Sequence, residues 1–348
     1  MKIATIGLDL AKNVFQVHGV DERGATLLRK QLRRQEVNAF FARIEPCLVG
    51  IEACGGAHYW AAQLGALGHT VKMMSPQFVK PYVKGNKNDA LDAEAICEAV
   101  ARPNMRFVAP KLPEQQSVLA LHTARQGFVK ARTAQANQIR GLLAEFGLVV
   151  PQGIRSLYER VPRLVEEAEA SLPGRFRHLV ERLMQHLREL DRQVQELEGD
   201  IQLWHRDSEA SRRLEAIPGI GPITASALVA SAGDARNFKN ARQFAAWLGL
   251  VPRQCSSGGK PQLLGISKRG DVYLRTLLIH GGRAVVQHAT AHAERASGWL
   301  KGLIGRRHAN VAAVAVANKN ARVAWALLAS GRAYEAAAGK TNTALEGA

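Results

Sequence analysis

Four acidic residues are set apart by the elements they close or open. Asp9 ends the short apolar run KIATIGL (2–8), Glu52 ends LVGIE (48–52), and Asp89 and Asp92 open the helical stretch KNDALDAEAI (87–96). A side chain at a strand end reaches the edge of a sheet, where a ligand can approach, and residues i and i+3 share a helix face. Four carboxylates converging there would hold two divalent cations, and hard oxygen donors favour Mg2+ or Mn2+ over zinc. Such a pair supports in-line displacement at phosphorus, the chemistry of nucleases and polymerases. Taken singly, Asp89 or Asn88 reads equally as a helix cap and Asp92 as solvated helix surface. The set, taken with the strand order, reads as a metal site.

A second constellation lies toward the C-terminus. The segment GLVPRQCSSGGKPQLLGISKRGDVYLR (249–275) is a glycine-rich polar loop bracketed by helices, with Ser256 and Ser257 among Arg253, Lys260, Lys268, Arg269 and Arg275. A hydroxyl among cations that stabilise a phosphorane can attack a phosphodiester as a covalent nucleophile. A flexible loop with turn-forming serines is an equal reading. The five cations are candidate phosphate binders. Upstream, LEAIPGIGPITA (214–225) places Gly219 and Gly221 in a turn between two helical stretches, in the manner of a helix-hairpin-helix element. Glycines let one backbone approach another and leave amides free for a phosphate; the alternative is a tight interhelical turn. His288 and His292 stand at i, i+4 but lack the third ligand that a zinc site needs.

The elements that must position these groups follow from patterning. Residues 2–8 and 14–20 read as two paired strands. A helix near 35–45, a strand at 48–52, a helix near 57–67 and a strand at 70–74 follow, which makes residues 1–112 an α/β layer domain. Residues 113–207 are charge-balanced and read as helices broken at Pro151, Pro162 and Pro173. Within them Val180, Leu183, Leu187, Leu190, Val194, Leu197, Ile201 and Trp204 alternate three- and four-residue steps, the apolar seam of a coiled coil. That seam is expected to pack on helices of the same chain or on a second copy. Residues 208–334 read as a mainly α domain with helices at 222–232, 240–248, 271–288 and 309–331, and residues 335–348 as a mobile tail.

At 348 residues and 47% apolar content, the chain is long enough for two or three cores. A net charge of +17 sets it apart from a typical metabolic enzyme and makes nucleic acid the first partner to consider. Residues 208–348 carry nineteen basic against seven acidic side chains, which places the main phosphate-binding surface there. Cys47, Cys54, Cys97 and Cys255 are scattered and read as reduced thiols. With no secretory pattern and no apolar stretch near the ~20 residues of a membrane span, a soluble cytoplasmic protein is expected.

The segments GLDLAK (7–12), GIEACG (50–55), KNDALDAEAI (87–96), PGIGPITA (218–225), GLVPR (249–253), SSGGK (256–260) and ISKRGDVYLRTLL (266–278) occur in this order over nearly the whole chain. Together they resemble the DEDD-type transposases of the IS-one-ten family of bacterial insertion sequences, most closely its eleven-eleven branch. The resemblance implies an RNase H-like (RuvC-like) N-terminal domain, a helical coiled-coil linker and a C-terminal transposase domain unlike that of other serine recombinases. It implies Asp9, Glu52, Asp89 and Asp92 as metal ligands and Ser257 as nucleophile, with Ser256 the neighbouring alternative. The implied activity is excision and insertion of the element, with acid site and serine acting together, within or across protomers of a homo-oligomer. A phosphoserine link, a Holliday-type junction and a guide RNA encoded by the element complete the implied mechanism. Two other readings stand beside it: a junction-resolving nuclease that uses the metal site alone, and a non-catalytic DNA-binding protein.

Overall fold

Alternating apolar residues in the N-terminal segments give strands with one face turned into a core. β1 (Thr5–Asp9), β2 (Val14–Val20) and β3 (Thr26–Arg33) form an antiparallel meander. After α1 (Val37–Phe41) come β4 (Leu48–Glu52), α2 (Ala57–Ala66), β5 (Thr70–Met74), α3 (Pro76–Val79), α4 (Asp89–Val100) and β6 (Phe107–Val108). The sheet order is β3-β2-β1-β4-β5-β6, with β1, β4 and β5 mutually parallel and the remaining pairs antiparallel. Ile6, Leu8, Phe15, Val49 and Ile51 pack with Phe41, Trp60 and Leu64 in one buried cluster. Ile96 and Val100 of α4 pack with Met74 and Val79 in another.

This structure is a computed structural model and describes residues 2–84, 88–258 and 260–335. Lys87, Gly259 and all of the expected tail except Glu335 lie outside the described residues. The chain divides into two compact units between Leu112 and Pro113. In the first, β3 went unseen in the sequence because it is an edge strand, TLLRKQLR, with mostly exposed side chains and no clear alternation. The helix expected near 35–45 shrinks to a 3-10 turn and the five residues of α1.

The second unit is mainly helical: α5 (Pro113–Ala144), α6 (Ile154–Glu167), α7 (Gly174–Asp207), α8 (Glu209–Glu215), α9 (Pro222–Ala232) and α10 (Ala241–Trp247). A hairpin of β7 (Pro252–Gln254) and β8 (Leu263–Ile266) follows, then α11 (Val272–Ala291), α12 (Gly298–Arg306) and α13 (Ala309–Ser330). The apolar seam of α7 finds its partner inside the chain. Val180, Met184 and Leu187 pack in one cluster with Ala136, Ile139 and Leu143 of α5. Arg125 pairs with Glu198 at 2.8 Å, and Arg132 with Asp191. Seven residues forward on α5 is thus seven residues back on α7, so the two helices run antiparallel. Pro162 does not break the chain as expected but sits inside α6. The burial of Leu157 and Val161 beside it holds that helix together, against the ~3 kcal/mol a mid-helix proline costs. Among the described residues, no helix is long and apolar enough to cross a membrane.

Candidate active site

The acidic site is built by two glycines as much as by its carboxylates. Side chains two apart on a strand share a face, so Gly7 lies on the Asp9 side of β1 and Gly50 on the Glu52 side of β4. Both glycines sit directly beneath α4. A Cβ at Gly7 would lie 2.1 Å from the Ala93 carbonyl oxygen and 2.4 Å from the Cys97 nitrogen, and one at Gly50 would lie 2.8 Å from Val100 Cβ. Their bare backbones let α4 settle onto β1 and β4. Asn88 caps that helix, its side chain accepting from the Ala90 N–H at 3.0 Å, which leaves the carboxylates of the first turn free.

As a result, Asp9, Asp89 and Asp92 each bring a carboxylate oxygen within 4.8 Å of the others. Glu52 is outside that trio. Its strand is nonetheless next to β1, in register with Leu8 opposite Ile51, so Asp9 and Glu52 leave neighbouring strand ends together. Burial, then the charges of Asp92, Asp89 and Glu52, push the Asp9 carboxyl up to about 6, partly offset by the Leu10 backbone N–H. Glu52 is also raised, by burial and then by Asp92. Carboxylates that crowd and repel one another at a half-buried sheet edge suit a divalent cation, whose charge answers theirs. Among the described residues this is the one group of three or more acidic, histidine or cysteine side chains so placed. The rings of His288 on α11 and His292, its C-cap, lie 4.8 Å apart between centroids, and among the described residues no third ligand joins them.

In the second unit, Ser256 and Ser257 occupy the exposed β7–β8 hairpin. The two hydroxyls differ. Ser256 Oγ accepts from Gln254 Nε2 at 2.9 Å and from the Gln262 N–H at 3.4 Å. Ser257 pairs with Lys260 through its backbone, the Lys260 N–H donating to the Ser257 carbonyl at 3.1 Å. No hydrogen bond among the described residues engages the Ser257 hydroxyl. Arg253, Lys260, Lys268 and Arg269 are exposed along the hairpin and the turn that follows it.

Arg275 corrects the sequence reading. It is 7% exposed, and its guanidinium donates to the Leu248 and Arg269 carbonyls at 3.3 and 3.2 Å, so it ties the two roots of the hairpin together and is not open to phosphate. Around it the chain segments cross at near-contact. Cβ atoms at Gly249 and Gly270 would each fall 1.9 Å from a facing carbonyl oxygen, of Arg269 and Trp247. Lys268, between them, is the one described non-glycine residue with positive φ, at 54°. Gly219 makes its close approach to Gly281 of α11, whose Cβ would lie 1.8 Å from the Gly219 oxygen; Gly221 has open space and caps α9. The glycines at 7, 50, 249 and 270 were not singled out from the sequence. For Gly7 and Gly50 the available signal was a glycine two residues before each strand-ending acid.

Comparison with known proteins agrees with both halves of the chain. A family model described as transposase, of the DEDD type of IS110, matches residues 6–147, and one described as transposase of the IS116/IS110/IS902 family matches residues 211–297. A probable family 20 transposase of Pseudomonas aeruginosa is 55% identical over 96% of this chain and 99% of its own length. The transposase for insertion sequence element IS1328 of Yersinia enterocolitica is 45% identical over 95% of this chain and 98% of its own. The transposase for IS1111A of Coxiella burnetii is 44% identical, over 97% and 92%. The chain therefore belongs to the IS116/IS110/IS902 family of transposases.

Proposed function

We propose that this transposase excises and inserts its own element by strand cleavage and exchange in which the acidic site and Ser257 both take part. The convergence of Asp9, Asp89 and Asp92 beside Glu52 carries the reading. Its sheet order, with a β1–β2–β3 meander joined to parallel β4 and β5, supports an RNase H-like domain. These four carboxylates would hold divalent cations, Mg2+ or Mn2+, which when bound activate an attacking oxygen and stabilise a leaving one at phosphorus. Ser257 Oγ forms the bond to phosphorus while the bond from phosphorus to the leaving nucleotide oxygen breaks; that oxygen ends protonated, and the strand end stays on the serine. The Ser257 hydroxyl, which no described residue engages, set against the occupied one of Ser256, favours Ser257 as the nucleophile. Exposed Arg253, Lys260, Lys268 and Arg269 bind the phosphates around it. By the family resemblance, the partners are the element ends and target DNA, an element-encoded guide RNA and further copies of the chain.

The test is strand transfer with Mg2+ on DNA carrying the element junction, with its flanking noncoding RNA present or omitted. Wild type, Ser256→Ala, Ser257→Ala and Asp9→Ala are compared. Recombination is expected to be lost in Asp9→Ala and Ser257→Ala and retained in Ser256→Ala, with a covalent protein–DNA adduct that needs Ser257. Full cleavage by Ser257→Ala would make the protein a nuclease working from the metal site alone. Cleavage indifferent to Mg2+ and to Asp9→Ala would overturn the acidic site.

A further inference from the structure

Between Glu294 and Glu335 the chain contains no acidic residue, while Arg295, Lys301, Arg306, Arg307, Lys319, Arg322 and Arg332 contribute seven basic ones. This run lies almost wholly beyond the two stretches matched by the family models, which end at residues 147 and 297. It forms α12 and α13.

The faces of α12 are sharply divided. Leu300 and Leu303 point into a cluster with Val286, Ala289, Ala312 and Val316. At about 100° per residue, Gly298, Gly302 and Gly305 fall opposite them, with Lys301 on one flank and Trp299 and Arg306 on the other. Trp299 is 42% exposed, an uncommon position for an indole, and Lys319 of α13 holds its ammonium 4.3 Å from the ring centroid. Lys301, Arg306, Arg307 and Lys319 are all exposed, and no ion pair among the described residues neutralises them. Some surface arginines of the same unit are answered locally, as in Arg192 with Glu189 and Glu196, or Arg213 with Glu209. Cations left uncompensated on one face attract a polyanion by releasing its counterions, and an exposed indole among them adds apolar contact with sugar and base edges.

We propose that the outer face of α12 and the adjoining part of α13 is a binding surface for the backbone of duplex DNA, centred on Trp299, Lys301, Arg306, Arg307 and Lys319. It reads no sequence; it holds a duplex segment on the same unit that carries the serine hairpin. It does not depend on the serine chemistry, which Ser257→Ala tests by a separate readout.

The experiment is fluorescence anisotropy of a labelled duplex of arbitrary sequence titrated with the full chain over a range of salt concentrations. Arg306→Ala/Arg307→Ala is expected to weaken binding about tenfold at physiological salt and to reduce the slope of log affinity against log salt by about 2, close to the ~0.9 lost per phosphate contact. Lys301→Ala, a single exposed change, is expected to reduce it by about 1. Unchanged melting curves show that both variants fold. A slope equal to that of wild type in both variants overturns the proposal. So does a loss confined to a labelled single-stranded RNA, which would make RNA the occupant, or a change in sedimentation with the DNA slope intact, which would make the face a contact between copies.

Discussion

Ionising Asp9 beside Asp89 and Asp92 opposes folding unless a cation answers the charge. Its carboxyl titrates at about 6 in the folded chain, against ~3.9 when unfolded. Between those values the folded state holds a proton that the unfolded state has lost. The stability of the cation-free protein therefore falls as pH rises through that window and levels off above it. Adding Mg2+ is expected to raise the melting temperature at pH above about 6 and to do little near the lower end of the window. Asp9→Asn should remove both the pH step and the Mg2+ response. Thermal melts in chelator and in Mg2+ across that range check this, and a Mg2+-independent melting temperature at neutral pH would contradict it. At the other site the distinction is between adjacent hydroxyls: Gln254 and Gln262 occupy Ser256, so Ser256→Ala should disturb the hairpin while leaving the hydroxyl of Ser257, the proposed nucleophile, in place.

The depth of α4 on β1 and β4 sets the spacing of the acids; α4 meets Gly7 with its backbone and Gly50 with the Val100 and Ile96 side chains. Gly50→Ala brings a methyl group against the Val100 side chain, an overpacking expected to cost about 1–3 kcal/mol. Gly7→Ala meets the Ala93 carbonyl and the Cys97 nitrogen, which cannot rotate away, so it is the more damaging of the two. Both should lift α4 and with it Asp89 and Asp92. The expectation is weaker Mn2+ binding by calorimetry in Gly50→Ala, in a protein that still unfolds cooperatively in urea. Wild-type Mn2+ affinity there would mean that the depth of α4 does not govern the site. The serine hairpin shows the same device: Gly249, Gly270 and the buried Arg275 fix its two roots, while residues 252–258 and 260–265 stand exposed. A firm base under an exposed loop orients the tip without burying it.

Each of the two units has apolar clusters of its own: those around Ile6 and Ile96 in residues up to Leu112, and those around Leu228, Ile139 and Val316 beyond it. A fragment of residues 1–112 is accordingly expected to fold alone and to show a cooperative melt that shifts upward with Mg2+. A fragment with no cooperative transition would show that its core is insufficient. The charge is divided unevenly: the acidic cluster lies at α4 and the sheet, and the stretch from Arg295 to Tyr334 carries seven basic side chains and no acidic one.

The amino-acid sequence alone determined the elements with strong apolar patterning. Strands at 14–20, 48–52 and 70–74 and the helices at 222–232 and 309–331 were legible because short β-branched runs and longer apolar stretches between turn residues must be buried. The motifs likewise identified the family. What only the tertiary structure decided were the contacts that carry no periodicity. Edge strand β3 had too little burial to leave a pattern, and the α7 seam could not name α5 as its partner, because an apolar stripe specifies that it is buried and not by what. Arg275 reads in sequence like any other cation of its loop. Its role is fixed by two carbonyls that reach it only when residues 248 and 269 are folded onto each other. Gly7 and Gly50 matter for the same reason: a missing Cβ has no meaning until another element lies over it.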